Sequence, residues 1–417
     1  MAKFKIIPSN NLSGTIEVYG AKNAAMKMIA ASVLIQGKVV LENVPEIVDV
    51  QRLIEILIKN GAQITRHNHT LTIDTTNLSN DNPDRTLVKR FRGSIVLVGP
   101  YLSRFGKIGI PQPGGCVIGS RSIDTHLEAF KKIGAKVTNA NDFNELVLEK
   151  NLGGKVELKE ASVTATENII MSQVLGNQET IIKNAATEPQ IADLANFLNK
   201  AGAKITGAGE KTIRIEGVDT LNPITYAVMP DPFEACTFIC LAIATNSEIK
   251  ITNCIPKDLF PFLDVIRNMG VQLEQGENYI LVKKSPNLKP VDITTGIHPG
   301  FSTDMQAPMG LVLTQAHGKS KIKETLFENR LGYLKELVEM GAQVEFLNNR
   351  EAIITGPTRL RGRRIDSLDL RAGATLLIAG LIADTPTEIN NAENIDRGYE
   401  RIEERLAKIG AKIQRVK

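Results

Sequence analysis

The run PQPGGCVIGSRSIDTH, residues 111–126, gathers a thiol, a guanidinium, a carboxyl and an imidazole in one glycine-rich stretch. Gly114 and Gly115 loosen the backbone before Cys116, and Gly119 loosens it after, as in a loop that moves over a ligand. Arg121 follows within reach, and an adjacent cation favours the thiolate. Asp124 lies near the start of the next helix, where a carboxylate is a good cap, and His126 follows. The alternative for Cys116 is an inert core thiol.

Charged residues of the same kind recur along the chain. In YGAKNAAMKM, Lys22 and Asn23 stand at a helix start just after Gly20. A lysine at the positive end of a helix makes sense when an anion sits beside it. The alternative is a solvated lysine with an asparagine near a cap. In PGFSTDMQAPMG, Asp304 follows a Pro-Gly turn and precedes an apolar helix, as an N-cap or as a base aimed at a ligand. LFENRLGY supplies Arg330, DLRAGAT supplies Asp369 and Arg371, and NIDRGYERIEE supplies Arg397. Singly these are ordinary surface charges. At corresponding edges of successive units they form an anion clamp.

The units are visible as a repeat. LIEILIKNGAQI, HLEAFKKIGAKV, LANFLNKAGAKI, LDVIRNMGVQL, LKELVEMGAQV and IEERLAKIGAKI read alike, at a spacing of about 70 residues. Ile191, Leu194, Ala195 and Leu198 make one apolar helical stripe, and Leu334, Leu337 and Val338 repeat it. Gly61, Gly134, Gly202, Gly270, Gly341 and Gly410 end the six helices, where a left-handed residue is needed. Alternating stretches such as AKIT, AQVEF, TIRIEG and AIITG read as strands. Upstream lie helices apolar nearly all round, as in NAAMKMIAASVLI and ATLLIAGLI, which should be buried. Three units per domain predict two similar globules with helices inside sheets and a ligand cleft between them. A repeat scaffold without chemistry remains open on this pattern alone.

Bulk composition narrows the class. With 417 residues and 42% hydrophobic residues the chain is too long for one ordinary core, so two domains are expected. The net charge of +4 is nearly balanced and the basic residues are dispersed, which argues against a nucleic-acid groove. Tryptophan is absent, so a stacking platform is not expected. MAKFKIIPSN lacks the apolar core of a secretory signal, and no run approaches the ~18 apolar residues of a membrane span. A cytoplasmic protein is expected. The four cysteines and five histidines complete no zinc pattern. Cys236 and Cys240, one helical turn apart in FEACTFICLAIA, read as core thiols, and His67 and His69 in RHNHTLTI read as one exposed strand face.

Taken together, GAKNAA, PGGCVIGSRSID.H, ATEN, EPQIADLANFL, HPGF.TDMQA, FENR, DLRA and IDRGYERIE.RL resemble the enolpyruvyl transferase family over essentially the whole chain. Within it they are most similar to the branch whose acceptor is a UDP-sugar. The resemblance implies an α/β (α+β) fold of two similar domains, each of three repeated units with buried helices inside sheets, an inside-out α/β barrel. It implies an N-terminal domain over 21–230 and a C-terminal domain from 1–20 plus 231–417. It also implies transfer of the enolpyruvyl group of phosphoenolpyruvate to the 3′-hydroxyl of UDP-N-acetylglucosamine with release of phosphate, the first committed step of peptidoglycan synthesis. No metal or other cofactor is expected.

By the same resemblance Cys116 is the general acid at C3 of phosphoenolpyruvate and can form a covalent adduct, and Asp304 is the base. Lys22, Arg121 and Arg397 match positions that hold the phosphate, and Arg330 and Arg371 match those nearer the carboxylate. Asn23 meets the reacting region with Asp369 in support. The nucleotide-sugar side takes Arg92, the run Arg121, Ser122, Ile123, Asp124 and Thr125, then His126, Ser162, Val163 and Thr164, with Leu326 near the sugar. Three positions depart from the family pattern: Thr164 replaces a glycine, Ser122 a proline, and Pro232-Phe233 an Arg-Ile pair. The rivals are the shikimate-pathway branch of the family and a non-catalytic or kinetically altered UDP-sugar-binding paralogue.

Overall fold

A computed structural model describes residues 2–89, 91–111, 122–140 and 143–416. In chain order the helices are α1 (Lys22–Ala31), α2 (Val48–Lys59), α3 (Arg85–Lys89), α4 (Val98–Phe105), α5 (Asp124–Lys132), α6 (Val163–Gln173) and α7 (Pro189–Lys200). They continue as α8 (Pro232–Ala244), α9 (Phe260–Asn268), α10 (Thr303–Leu313), α11 (Gly332–Glu339), α12 (Leu370–Ile382) and α13 (Ile402–Ala407). The chain divides into two compact units. One runs from Gly20 to Met229, and the other joins the residues up to Tyr19 with those from Pro230 onward.

The amphipathic segments form α2, α5, α7, α9, α11 and α13, each with its apolar stripe buried. Their terminal glycines take the left-handed backbone the repeat demands: φ is 102° at Gly61, 100° at Gly134, 109° at Gly202, 88° at Gly270, 109° at Gly341 and 100° at Gly410. A side chain is strained there, so the stop signal falls to glycine. Each helix then feeds a short strand, for example Gln63–His67 after α2 and Gln343–Phe346 after α11.

The apolar helices α1, α4 and α6 are buried in one unit, and α8, α10 and α12 in the other. In the second set all three pack on one another. In the first, α4 packs on α6, and α1 meets the 3-10 turn Arg92–Leu97 that leads into α4. The ATEN motif explains the α4–α6 contact. Asn168 accepts from Gly99 N at 2.7 Å and donates to Ile95 O at 3.2 Å and Thr164 O at 2.9 Å. A Cβ on Gly99 would lie 2.3 Å from Asn168 O, so only glycine permits this approach. A second link is a buried ion pair, Lys27 Nζ to Glu167 Oε2 at 3.3 Å. Burial, opposed by Lys27, pushes the Glu167 carboxyl up to about 7.

Three sheets flank the helices of each unit, five of them four-stranded and one three-stranded, and none closes into a barrel among the described residues. Lys3–Ile7 lies antiparallel between Thr387–Asn390 and Lys412–Val416, and Ser13–Glu17 runs parallel to Glu248–Thr252. The first strands are thus built into the unit of the C-terminal half.

Cys236 and Cys240 are fully buried on α8, and burial raises both thiols well above their ordinary value. They are core thiols, as their spacing predicts. The histidine expectation needs correction. Strand Gln63–His67 ends at His67, Asn68 takes a left-handed φ of 52°, and His69 lies in the turn before strand Thr70–Asp74. Asn tolerates that conformation, so RHNHTL forms a hairpin instead of one strand face.

Candidate active site

In the unit containing the C-terminal half, the site is built on the first turns of α10 and α12. Ser302 caps α10, its hydroxyl accepting from Asp304 N at 3.3 Å. The N-cap alternative for Asp304 is therefore corrected: the preceding serine caps the helix, and the Asp304 carboxylate turns to two arginines. Its Oδ1 accepts from Arg330 Nη2 at 2.6 Å, and its Oδ2 lies 3.7 Å from Arg371 Nε. Asp369 is the true N-cap of its helix, accepting at Oδ1 from Arg371 N at 2.7 Å and Ala372 N at 2.9 Å. Its other oxygen lies 3.7 Å from Arg330 Nη1. Four residues named from the sequence thus form one charged cluster.

The arginines are held out of water, Arg330 6% and Arg371 3% exposed. Arg371 Nη1 donates to Tyr399 Oη at 2.9 Å, and that oxygen shares a 2.7 Å hydrogen bond with Thr237 Oγ1. The guanidinium carbon lies 5.1 Å from the Phe233 ring centre and 5.3 Å from that of Tyr399. Burial works against the Arg371 charge, but Tyr399, Asp304 and Asp231 outweigh it and raise its pKa further. Among the described residues neither Arg330 Nε nor Arg371 Nε has a hydrogen-bond acceptor. Two buried cationic N–H donors without acceptors are costly, and an anionic oxygen would satisfy them.

Glu324 organises the neighbouring loop. Its Oε1 accepts from Leu326 N at 2.8 Å and Phe327 N at 3.2 Å, and its Oε2 from Thr303 Oγ1 at 2.8 Å. Leu326 is left 36% exposed, an apolar side chain at the surface of its unit. Arg397 lies half-buried in the turn after the 3-10 helix Ala392–Asn394.

In the unit from Gly20 to Met229, Lys22 opens α1 as expected, yet its partner is internal. Lys22 Nζ lies 2.5 Å from Asp49 Oδ2, in the first turn of α2. The solvated-lysine alternative is thereby excluded, and the anion at this helix start is a carboxylate of the chain itself. Asn23 is half-buried beside it, and Arg92 begins the 3-10 turn before α4.

Ser122 accepts from Asp124 N at 2.9 Å, while Asp124 is the exposed first residue of α5 and its carboxylate caps no N–H among the described residues. The capping expectation for Asp124 therefore passes to the serine two residues earlier. Ile123 is buried, Thr125 Oγ1 donates to Glu160 Oε1 at 3.0 Å, and His126 Nε2 lies 2.8 Å from Thr164 Oγ1. Burial, then the charge of Arg92, pushes the His126 imidazole down to about 4, so it is neutral near pH 7. Ser162 caps α6, and Val163 and Thr164 are its half-buried first residues. Cys116 and Arg121 lie outside the described residues.

Sequence reasoning missed Asp49, Glu160, Glu324, Phe233 and Tyr399. Asp49 carried a weak signal as the acid in the first turn of an amphipathic helix. Among the described residues no group of three or more His, Cys, Asp and Glu side chains is placed to hold a metal ion. No helix among them is long and apolar enough to cross a membrane.

The family described as EPSP synthase (3-phosphoshikimate 1-carboxyvinyltransferase) matches residues 6–406. The chain belongs to this family of carboxyvinyltransferases. Among similar proteins, UDP-N-acetylglucosamine 1-carboxyvinyltransferase 2 of Carboxydothermus hydrogenoformans is 43% identical over 418 residues, covering 100% of both chains. UDP-N-acetylglucosamine 1-carboxyvinyltransferase of Coxiella burnetii is 42% identical, covering 100% of this chain and 96% of its own. The crystal structure of the enolpyruvyl transferase NikO from Streptomyces tendae superposes with a TM-score of 0.90 at 25% identity, over 100% of this chain and 99% of that one. The enolpyruvyl transferase fold expected from the motifs is thus the observed one. A repeat scaffold without chemistry is set aside for a member of a transferase family.

Proposed function

We propose that the chain transfers the enolpyruvyl group of phosphoenolpyruvate to the 3′-hydroxyl of UDP-N-acetylglucosamine and releases inorganic phosphate, opening peptidoglycan synthesis. The observation that carries this reading is the Asp304–Arg330–Arg371 cluster, whose two buried Nε–H donors make no hydrogen bond among the described residues. A small donor carrying both a carboxylate and a phosphate fits that chemistry. Relatives of 42–43% identity bearing the UDP-sugar name support the choice of acceptor.

The reaction is an addition followed by an elimination. A proton is delivered to C3 of phosphoenolpyruvate, C2 becomes electrophilic, and the sugar oxygen bonds to C2 as its proton passes to a base. Loss of a proton from C3 then expels phosphate from C2 and restores the double bond. Cys116 supplies the acid and Asp304 the base. Arg330 and Arg371 take the donor's carboxylate, and in doing so draw away from Asp304, whose oxygen then accepts the hydroxyl proton. Lys22, Arg121 and Arg397 hold the phosphate, and Asn23 lies beside the reacting carbons with Asp369 in support. Arg92, Ser122 to His126, Ser162 to Thr164 and Leu326 hold the nucleotide sugar. No cofactor is assigned to the reaction.

Residues 21–230 form the N-terminal domain and 1–20 with 231–417 the C-terminal one. Both substrates are multiply charged and do not cross lipid, which supports a cytoplasmic site of action. Phosphate release from phosphoenolpyruvate, assayed with UDP-N-acetylglucosamine and separately with shikimate 3-phosphate, tests the reading. Turnover with the UDP-sugar alone supports it. Turnover with the shikimate ester places the chain on the other branch, and none with either makes it a binding paralogue.

A further inference from the structure

The span 391–401, between strand Thr387–Asn390 and α13, carries both Arg397 and Tyr399, yet its only regular element is the 3-10 turn Ala392–Asn394. Both ends take left-handed backbone, with φ of 56° at Asn391 and 40° at Arg401. Asparagine tolerates that conformation, whereas an arginine keeps it where its surroundings enforce it. The span is therefore fixed from outside.

The fixing groups come from both ends of the chain. Ala392 N donates to Ala2 O at 3.0 Å, and Ala2 N donates to Glu393 Oε1 at 2.8 Å. Asn394 Nδ2 donates to Ser367 O at 2.8 Å, two residues before the Asp369 cap. Arg415, on the last strand, makes a charged tie. Its Nη1 and Nη2 donate to Asp396 Oδ2 at 2.9 Å and Oδ1 at 2.6 Å, a two-pronged fork, while its Nε donates to Glu403 Oε1 at 2.5 Å. The guanidinium carbon lies 4.7 Å from the Phe4 ring centre, so the fork is backed by the first strand.

Asp396 immediately precedes Arg397, and Tyr399 stands two residues further on. Thr237 Oγ1 donates to Phe233 O at 2.8 Å, so Tyr399 Oη donates to Thr237 and accepts from Arg371 Nη1. A shift of this one turn would move Arg397 and the partner of Arg371 together. We propose that Arg415 is a positioning residue for the donor: through its fork on Asp396 it fixes the turn that presents Arg397 and braces Arg371. This rests on the transferase reading above. Arg415 itself meets no substrate.

Full-length protein is compared as wild type, Arg415→Gln, Asp396→Asn, the double variant and Glu403→Gln. KM for phosphoenolpyruvate should rise about fivefold in each of the first two and no further in the double variant, while KM for the UDP-sugar stays within about twofold. Calorimetric affinity for phosphoenolpyruvate should fall by the same factor. Glu403→Gln loosens Arg415 from α13 but leaves the Asp396 fork, so both KM values should hold. Asp396→Asn keeps the shape of its side chain and serves alone if Arg415→Gln does not fold. Unchanged donor KM and affinity in the folded single variants overturn the proposal, as do additive effects in the double variant. An equal rise in the acceptor KM, or the same donor effect in Glu403→Gln, makes Arg415 a general brace and overturns it too. Weakened phosphoenolpyruvate binding in both single variants of a protein whose wild type forms no product upholds the Arg415 role and overturns the transferase reading alone.

Discussion

Asp304 Oδ1 and Arg330 Nη2 lie 2.6 Å apart, a charge-assisted hydrogen bond between the first turn of α10 and the segment entering α11. Arg371 approaches the other carboxylate oxygen at 3.7 Å. A carboxylate so paired accepts a proton readily only when a second anion draws the guanidiniums away. In the mechanism proposed above, arrival of the donor frees this carboxylate to act as the base.

In the proposed mechanism, replacing Asp304 removes the base and leaves nucleotide binding to other residues. Asp304→Ala should bind UDP-N-acetylglucosamine with calorimetric affinity within about threefold of wild type, yet turn over at least ~100-fold more slowly. Near-normal turnover would move the base to another residue.

The thiol is tested by alkylation. An epoxide phosphonate that mimics phosphoenolpyruvate should add to one cysteine, and Cys116→Ser should abolish the adduct in intact-mass spectra. Cys236, Cys240 and Cys254 are buried with raised thiol pKa values, so they should stay unlabelled. A persistent adduct in Cys116→Ser would assign the reactive thiol elsewhere.

The Lys27–Glu167 pair is a stability element. Lys27→Met leaves a carboxyl buried beside apolar neighbours and should cost about 3 kcal/mol or more in urea unfolding at pH 8. Lys27→Met with Glu167→Gln should recover most of that loss, because no buried charge remains. Equal destabilisation in the single and double variants would show that the pair's electrostatics do not matter.

His126 and Glu167 give stability opposite pH slopes. The folded His126 pKa is about 4, below its ordinary 6.5, so the unfolded chain binds the extra proton between these values. Its contribution is intact above 6.5 and lost as pH falls to 4, by about 3 kcal/mol in full. Glu167 is raised to about 7 from 4.5, so its contribution is intact below 4.5 and lost as pH rises to 7. The two offset between pH 4.5 and 6.5. Relative to wild type, His126→Gln should therefore gain stability as pH is lowered through that window, and Lys27→Met/Glu167→Gln should gain it as pH is raised. Parallel curves for all three would refute both assignments.

The repeat was legible because its signals are local. A 3.6-residue apolar period makes the helix and a glycine ends it, and all six glycines took positive φ. Apolar helices such as α8 and α12 announced their burial by having no polar face. The charged cluster was legible residue by residue, but its pairing was not. Nothing local in YGAKNAAMKM says that Lys22 meets Asp49, because that contact depends on how α1 and α2 pack. Capping was misassigned at Asp124 and left open at Asp304, since Ser122 and Ser302 stand two residues earlier and accept from the Asp124 and Asp304 N–H groups. The histidine pair failed because Asn68 tolerates the left-handed turn that splits the apparent strand. Phe233, read only as a departure, packs on the Arg371 guanidinium.

Identifying the product of a single incubation bears most directly on the central claim. With phosphoenolpyruvate and UDP-N-acetylglucosamine, mass spectrometry should find the UDP-sugar bearing a carboxyvinyl ether at its 3′-oxygen, in amounts equal to the phosphate released. Phosphate without the ether, or neither product from a folded protein, would contradict the account.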